Sequence, residues 1–373
     1  MIKKTREWIN ERLENLQALD CYKPEKTNEA IAKEFGLEPE SIVKLNYNEN
    51  LFIPREKVIP LLKEVAEEVD FRIYPQEEEI KLKEAIAGYL GVSAESTIIG
   101  NSSDEVMERV IRIFLQKGDN AVTFTPTFTV FKHCVDYQGA EFVNVPLKDN
   151  FSIDMEGMLS AFKPKSRILY LCSPNNPTAG QLEMEEIEKL TKEFPGIVLV
   201  DEAYGEFADY SVVPLIEKYK NLIVLRTFSK AFSLAGLRLG YAVTNKDLAS
   251  SLNKTPAPYP VNVISLSMGR KMLENINIMK ESVKKSKAER GKLIKRLNEI
   301  SGIEAFDSKA NFVLFNTSKP YEDVYITALK QGLIIKKLGK LLKYENCLRT
   351  TVGLPEMNSK LIEALREYME EKA

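Results

Sequence analysis

Histidine is nearly absent from this chain, with His133 the only one in 373 residues. That scarcity argues against a histidine-rich metal site and against a hydrolase built on an imidazole base. His133 follows Val130 at helical spacing and reads as structural. Cysteine is also scarce: Cys21, Cys134, Cys172 and Cys347 lack metal-ligand spacing and suit a reducing compartment. A net charge of only -2, with no strong basic stripe, argues against a nucleic-acid partner. No apolar run approaches a membrane span, and Met1-Ile2-Lys3-Lys4-Thr5-Arg6-Glu7 carries no apolar signal region, so a cytoplasmic protein without membrane contact is expected. Internal repeats and low-complexity segments are missing too.

What remains is a chain long enough for two domains and a sizeable core, 44% hydrophobic and 28% charged. From about Ser93 to Thr244, apolar strand-like runs alternate with helical stretches, the pattern of a mainly parallel sheet with helices on both faces. Strands are expected at Asn120–Phe124, Glu141–Val145, Ile168–Cys172, Ile197–Asp201, Leu222–Arg226 and Gly240–Val243. The proline-rich Thr255-Pro256-Ala257-Pro258-Tyr259-Pro260 marks a boundary. Beyond it, Val261–Ile300 reads as one long charged helix, a solvated connector. Strands near Ala310–Phe315, Leu333–Lys336 and Cys347–Val352, with a last helix from Pro355, would build a smaller α/β domain. The expected division is an N-terminal helix (about Ile2–Leu16) and arm over 1–44, a large domain over 45–258 and a small one over 259–373. The arm is expected to pack on the small domain or on a partner subunit.

Two segments near the middle of the chain carry chemistry. Lys230 stands in Thr227-Phe228-Ser229-Lys230-Ala231-Phe232-Ser233-Leu234-Ala235-Gly236-Leu237-Arg238, and Val200-Asp201-Glu202-Ala203-Tyr204 precedes it. A lysine amine forms a Schiff base with an aldehyde, and a carboxylate such as Asp201 keeps a pyridine nitrogen protonated. Tyr204 can donate to a ring phenolate. Arg238 offers a planar fork for a phosphate, with the hydroxyls of Thr227 and Ser229 in reach of the same anion. These are the needs of pyridoxal 5'-phosphate. A lone Ser-Lys pair is usually a solvated turn and a lone Asp after a strand usually a cap; here each follows an apolar run, and they occur together.

Other segments match. Ile98-Ile99-Gly100-Asn101-Ser102-Ser103-Asp104-Glu105 is an apolar run, a turn and a Ser-x-x-Glu capping box before Val106, Met107, Val110, Ile111 and Phe114. Such a helix start presents free N–H groups to a phosphate, although Asp104 and Glu105 add negative charge that Arg238 would balance. In Ser173-Pro174-Asn175-Asn176-Pro177-Thr178-Ala179-Gly180, an Asn between prolines can aim its amide at a ring oxygen. Phe128 can cover one face of the ring; taken alone, it is core packing.

In these segments the chain resembles the fold-type I pyridoxal-phosphate-dependent aminotransferases, and among them the histidinol-phosphate aminotransferase family. Leu45-Asn46-Tyr47-Asn48-Glu49-Asn50, Tyr74-Pro75, Ala310-Asn311-Phe312-Val313 and Cys347-Leu348-Arg349-Thr350-Thr351-Val352-Gly353 extend the match over nearly the whole chain. The resemblance implies a mainly parallel seven-stranded-type sheet and a small α/β C-terminal domain. It makes Lys230 the Schiff-base lysine and proton carrier, sets Asp201 at the pyridine nitrogen, and brings Asn176 and Tyr204 to the ring oxygen. Ser103, Asp104, Ser229 and Arg238 would hold the phosphate, with Tyr74 reaching it from the other subunit of a homodimer. Arg349, with Lys336 and Asn50, would bind the substrates, histidinol phosphate and glutamate or 2-oxoglutarate. Two departures stand out: Leu51-Phe52-Ile53-Pro54 replaces a Pro-Tyr-Gly-Pro-like run, and Lys336 replaces an arginine. An aromatic amino acid aminotransferase, a threonine-phosphate decarboxylase and, from another class, a ligand-sensing regulator on the same fold are the alternatives. The regulator would carry a DNA-binding domain for which the segment before residue 45 is too small and too acidic.

Overall fold

The computed structural model describes residues 2–17, 19 and 26–370; Cys21 lies outside them. The chain opens with α1 (Ile2–Gln17), α2 (Asn28–Phe35), β1 (Val43–Lys44), α3 (Arg55–Glu68) and α4 (Gln76–Leu90). Strands and helices then alternate: β2 (Thr97–Gly100), α5 (Ser103–Phe114), β3 (Asn120–Thr125), α6 (Thr129–Gln138), β4 (Glu141–Pro146), α7 (Met155–Ser160), β5 (Ser166–Cys172) and α8 (Met184–Glu193). β6 (Ile197–Asp201), β7 (Leu222–Thr227), β8 (Gly240–Thr244) and α9 (Lys246–Leu252) complete this unit. The remainder comprises α10 (Val263–Glu274), α11 (Ile276–Asn298), β9 (Ile303–Ala305), β10 (Phe312–Thr317), α12 (Tyr321–Lys330), β11 (Leu333–Ile334), β12 (Lys336–Leu341), β13 (Tyr344–Thr351) and α13 (Pro355–Glu370).

Seven strands form one sheet in the order β2-β8-β7-β6-β5-β3-β4, parallel except for the antiparallel pairings of β8 with β2 and β7. The inner strands are near-continuous Val, Ile and Leu because both faces are covered. Val122, Leu169, Leu171, Val198, Val200, Leu222 and Val224 face one apolar cluster, whereas Ile168, Tyr170, Leu199, Ile223 and Leu225 face another that includes residues of α5 and α6. The alternation fixes which side chains emerge at each strand's C-terminal end, where an open α/β sheet presents its crevice.

A four-stranded antiparallel sheet, β12-β13-β10-β9, supports the second unit, whose cluster includes Leu293, Leu297, Val313, Phe315, Leu348, Leu361 and Leu365. The arm joins it: β1 pairs in parallel with β11, and Ile31 and Ala32 of α2 pack with Leu329 and Ile334. In contrast, Trp8, Ile9 and Leu13 on α1 are exposed.

The single helix expected over Val261–Ile300 is two. Asn275 breaks it, with φ -105° and ψ 39° and its side chain donating to the Lys271 carbonyl at 2.9 Å. Nor is the first piece a solvated connector. Leu266, Met268, Met272 and Leu273 are buried, and α10 packs on α3 and α4 beneath the large sheet, although it follows the expected boundary at residue 258.

Candidate active site

Four strand ends deliver the expected residues to one crevice. β6 ends at Asp201, β7 at Thr227 just before Ser229 and Lys230, β5 at Cys172 before the Asn175-Asn176 turn, and β2 at Gly100 before α5. Asp201 is 5% exposed. Its Oδ2 accepts from the Tyr170 hydroxyl at 2.8 Å and its Oδ1 from the Ala203 N–H at 3.0 Å. Burial raises its pKa to about 6; those two donors oppose the rise, while Asp104 and Glu202 add to it. Among the described residues, no cationic side chain forms an ion pair with Asp201.

Lys230 is partly exposed along its length, but its amine lies deep among protein groups and donates to the Tyr47 carbonyl at 2.8 Å. Desolvation, with the Arg349 charge second, lowers its pKa to about 8. The amine stands 5.9 Å from the centre of the Tyr204 ring. Tyr204 is itself buried, with its oxygen accepting from Asn48 Nδ2 at 3.0 Å, so its O–H proton is left for another acceptor. Burial also pushes the Tyr204 phenol up. Asn176 is arranged in the same sense: Arg349 Nη1 donates to its side-chain carbonyl at 2.5 Å, which leaves its NH2 group as a donor. Its neighbour Asn175 is the scaffold, clamped by Thr127, the Pro126 carbonyl and Thr178.

At the other end of the crevice, α5 starts at Ser102, whose hydroxyl accepts from the Asp104 N–H at 3.2 Å. The expected capping box does not close. Glu105 instead accepts from the Asn101 N–H at 3.3 Å and pairs with the buried Arg109 at 2.6 Å. Arg238 meets Asp104 at 3.1 Å, as charge balance required. Gly240 lets this rim form, since a Cβ there would sit 2.1 Å from the Ser103 nitrogen. Gly240 is also the β-sheet partner of Thr227, whose hydroxyl accepts from the Ser229 N–H at 3.1 Å. Helix N–H groups, hydroxyls and a guanidinium therefore share one edge, a set suited to phosphate.

Arg349 is buried and also donates to the Asn46 carbonyl at 2.7 Å, with Lys336 directly across from it on β12. Of the remaining expected residues, Asn50 is engaged within the protein, while Phe128 and Tyr74 keep exposed surface. The Asn50 amide is occupied within the protein by the Ala231 carbonyl, Ser282 and the Phe52 N–H, and so ties the segment after β1 to the residues around Lys230 and to α11. Phe128 is the residue before α6 and half-buried against apolar core. Tyr74 is exposed and stacks on Tyr259 at 4.9 Å, away from any phosphate contact within its own chain. Residue-type reasoning passed over Tyr170 and Asn48. For Tyr170 the signal was available, because a tyrosine inside a buried parallel strand must find a partner for its hydroxyl.

The residues fit pyridoxal 5'-phosphate on their own chemistry. A buried carboxylate without a cation suits a pyridinium, two spare donors suit a ring oxygen, and the amine has a lowered pKa. Fold and site together define a fold-type I pyridoxal-phosphate-dependent enzyme. Residues 40–365 match the family described as aminotransferase class I and II. The histidinol-phosphate aminotransferase of Thermoanaerobacter pseudethanolicus is 37% identical over 87% of this chain and 93% of its own. That of Halalkalibacterium halodurans is 37% identical over 95% and 96%. Among solved structures, the histidinol-phosphate aminotransferase from Sinorhizobium meliloti in complex with pyridoxal-5'-phosphate matches with a TM-score of 0.86 at 25% identity, over 96% of this chain and 97% of that one. The chain belongs to the histidinol-phosphate aminotransferase family of the class I and II aminotransferases.

Proposed function

We propose that this enzyme moves the amino group of L-histidinol phosphate to 2-oxoglutarate, giving imidazole-acetol phosphate and glutamate, a step of histidine biosynthesis. The observation that carries the substrate is the Lys336–Arg349 pair, two cations on adjacent strands with Arg349 bonded to Asn176 beside Lys230. A doubly charged phosphate and the carboxylates of glutamate must use the same crevice in turn. A rigid fork serves either, and a rotatable ammonium adds the second charge a phosphate calls for.

Pyridoxal phosphate supplies an electron sink for the pair released at the amino-bearing carbon. The chain's own residues do the rest. Asp201 would keep the ring nitrogen protonated, Asn176 and Tyr204 would donate to the ring oxygen, and Phe128 would cover a face. The N–H groups of Ser103 and Asp104, the Thr227 and Ser229 hydroxyls and Arg238 would hold the phosphate. Lys230 would hold the cofactor's aldehyde, and its amine would serve as the proton carrier at the amino-bearing carbon of the substrate. With a pKa near 8, its amine is neutral in useful proportion at neutral to mildly alkaline pH.

The working unit in this reading is a homodimer in the cytoplasm. Supporting it, Phe71, Ile73 and Tyr74 expose apolar surface on one segment, and the described cysteines are free and buried. Tyr74 then reaches the partner's phosphate site. Steady-state kinetics with histidinol phosphate, phenylalanine and tyrosine test the substrate. A higher kcat/KM for an aromatic amino acid than for histidinol phosphate would refute it.

A further inference from the structure

We propose that Tyr170 is a positioning residue for the carboxylate at the cofactor ring: its hydroxyl, reaching across from β5, fixes Asp201 in one orientation and keeps it ionised. The inference rests on the cofactor reading above and concerns a residue of the strand interior.

The geometry is specific. Tyr170 pairs with Leu199 in the β5–β6 register, which puts Asp201 two residues further along the same face, on the diagonal a long side chain can span. Its hydroxyl donates to Asp201 Oδ2 at 2.8 Å. The tyrosine is wholly buried, its ring is stacked on Phe131 at 4.3 Å and 11°, and its carbonyl accepts from Thr123. The ring therefore has little freedom to leave the carboxylate. With the Ala203 N–H on Oδ1, each carboxylate oxygen has one fixed donor and keeps a lone pair for the ring nitrogen.

The electrical surroundings make the bond matter. Asp104 on α5 and Glu202 on β6's own continuation oppose ionisation of Asp201, as burial does, and the Tyr204 phenol and Cys172 thiol nearby are neutral. Against these stand two hydrogen bonds, of which only that from Tyr170 comes from a side chain and can be deleted by mutation. Without it, Asp201 would take up a proton at higher pH and lose its attraction for a protonated ring nitrogen.

The test uses pyridoxamine 5'-phosphate, which carries the same ring and phosphate and no aldehyde to react with Lys230. Its dissociation constant from the apoenzyme is measured between pH 5.5 and 7.8 for wild type and Tyr170→Phe, with thermal melts confirming the fold. Affinity should fall on acidification in both, with the inflection roughly one pH unit higher in Tyr170→Phe. The ratio of the two constants then grows at least ~5-fold from pH 7.8 to 5.5. A purely structural role would lower affinity by one factor at every pH. In an Asp201→Asn background, Tyr170→Phe should shift nothing. Phe131→Leu, which keeps the hydroxyl and removes the stack, should move the inflection the same way by less. Binding with an unmoved inflection in both variants overturns the role of Tyr170 and leaves the cofactor assignment intact. Failure of wild type to bind the probe overturns both.

Discussion

Lys230 occupies a place where an ammonium is hard to keep, and this sets how the free protein should meet its cofactor. Only the neutral amine attacks an aldehyde, so capture of pyridoxal phosphate by the apoenzyme should accelerate with pH and level off above about 8. Stopped-flow absorbance gives that profile directly. Arg349→Ala removes a positive charge that depresses the amine, so the midpoint should move upward, towards but not reaching the ordinary lysine value, because burial is the larger cause. The same arginine and its neighbour can be separated by substrate. Loss of one charge-assisted bond is worth roughly ten- to a hundredfold in binding. Lys336→Ala should therefore raise KM for histidinol phosphate more than for glutamate, whereas Arg349→Ala should impair both half-reactions. Equal effects of Lys336→Ala on the two substrates would remove it from the phosphate site. Lys230, Asp201 and Arg238 stood out in the sequence because their chemistry is rare in combination and because Asp201 and Lys230 come at or just after the end of an apolar strand. The Tyr170–Asp201 and Asn48–Tyr204 bonds were not legible there, since both join residues far apart in the chain and depend on sheet register or on the path of the segment after β1.

At the scale of elements, the crevice depends on how closely α5 approaches the end of β8. A methyl group at Gly240 would lie 2.1 Å from the Ser103 nitrogen and 2.4 Å from the Ser102 carbonyl carbon, both backbone atoms that cannot rotate away. Gly240→Ala should displace the start of α5, destabilise the protein by about 1–3 kcal/mol and weaken cofactor binding more than a surface Gly→Ala would. Denaturant titration and cofactor affinity measure the two effects. A second joint lies behind the site. Arg226 on β7 is buried between Glu202 at 2.9 Å and Glu206 at 2.8 Å, with Ser211 bonded to both Arg226 and Glu202. Burial raises the Glu206 pKa against the pull of this arginine. Removing the cation in Arg226→Ala leaves two buried carboxylates facing each other, a loss of about 3–5 kcal/mol at neutral pH. The inner strands were readable because continuous apolar runs between turn signals leave few alternatives. The break at Asn275 and the burial of α10 were not. A charged composition says that one side of a helix is wet and nothing about the other, and α10 hides Leu266, Met268 and Met272 on its inner side.

For the whole molecule, the question is whether one chain makes a complete site. Within its own chain, Tyr74 has an exposed ring stacked on Tyr259, and beside it Phe71 and Ile73 are 69% and 67% exposed. Single exposed apolar residues need no explanation, but three large ones within four positions, one of them the tyrosine that the resemblance assigns to a phosphate, point to a two-fold contact. Sedimentation should give a dimer, and Phe71→Ser with Ile73→Ser should weaken it. Complementation reads the shared site more directly. Tyr74→Ala and Lys230→Ala should each be poorly active alone. In a mixed dimer, the Tyr74→Ala subunit keeps its own Lys230 and borrows Tyr74 from its partner, so one site is whole and the other carries both defects. Random reassociation of equal amounts should restore about a quarter of the wild-type sites. If each Tyr74 served its own chain, every site in the mixture would retain one defect and no activity would return.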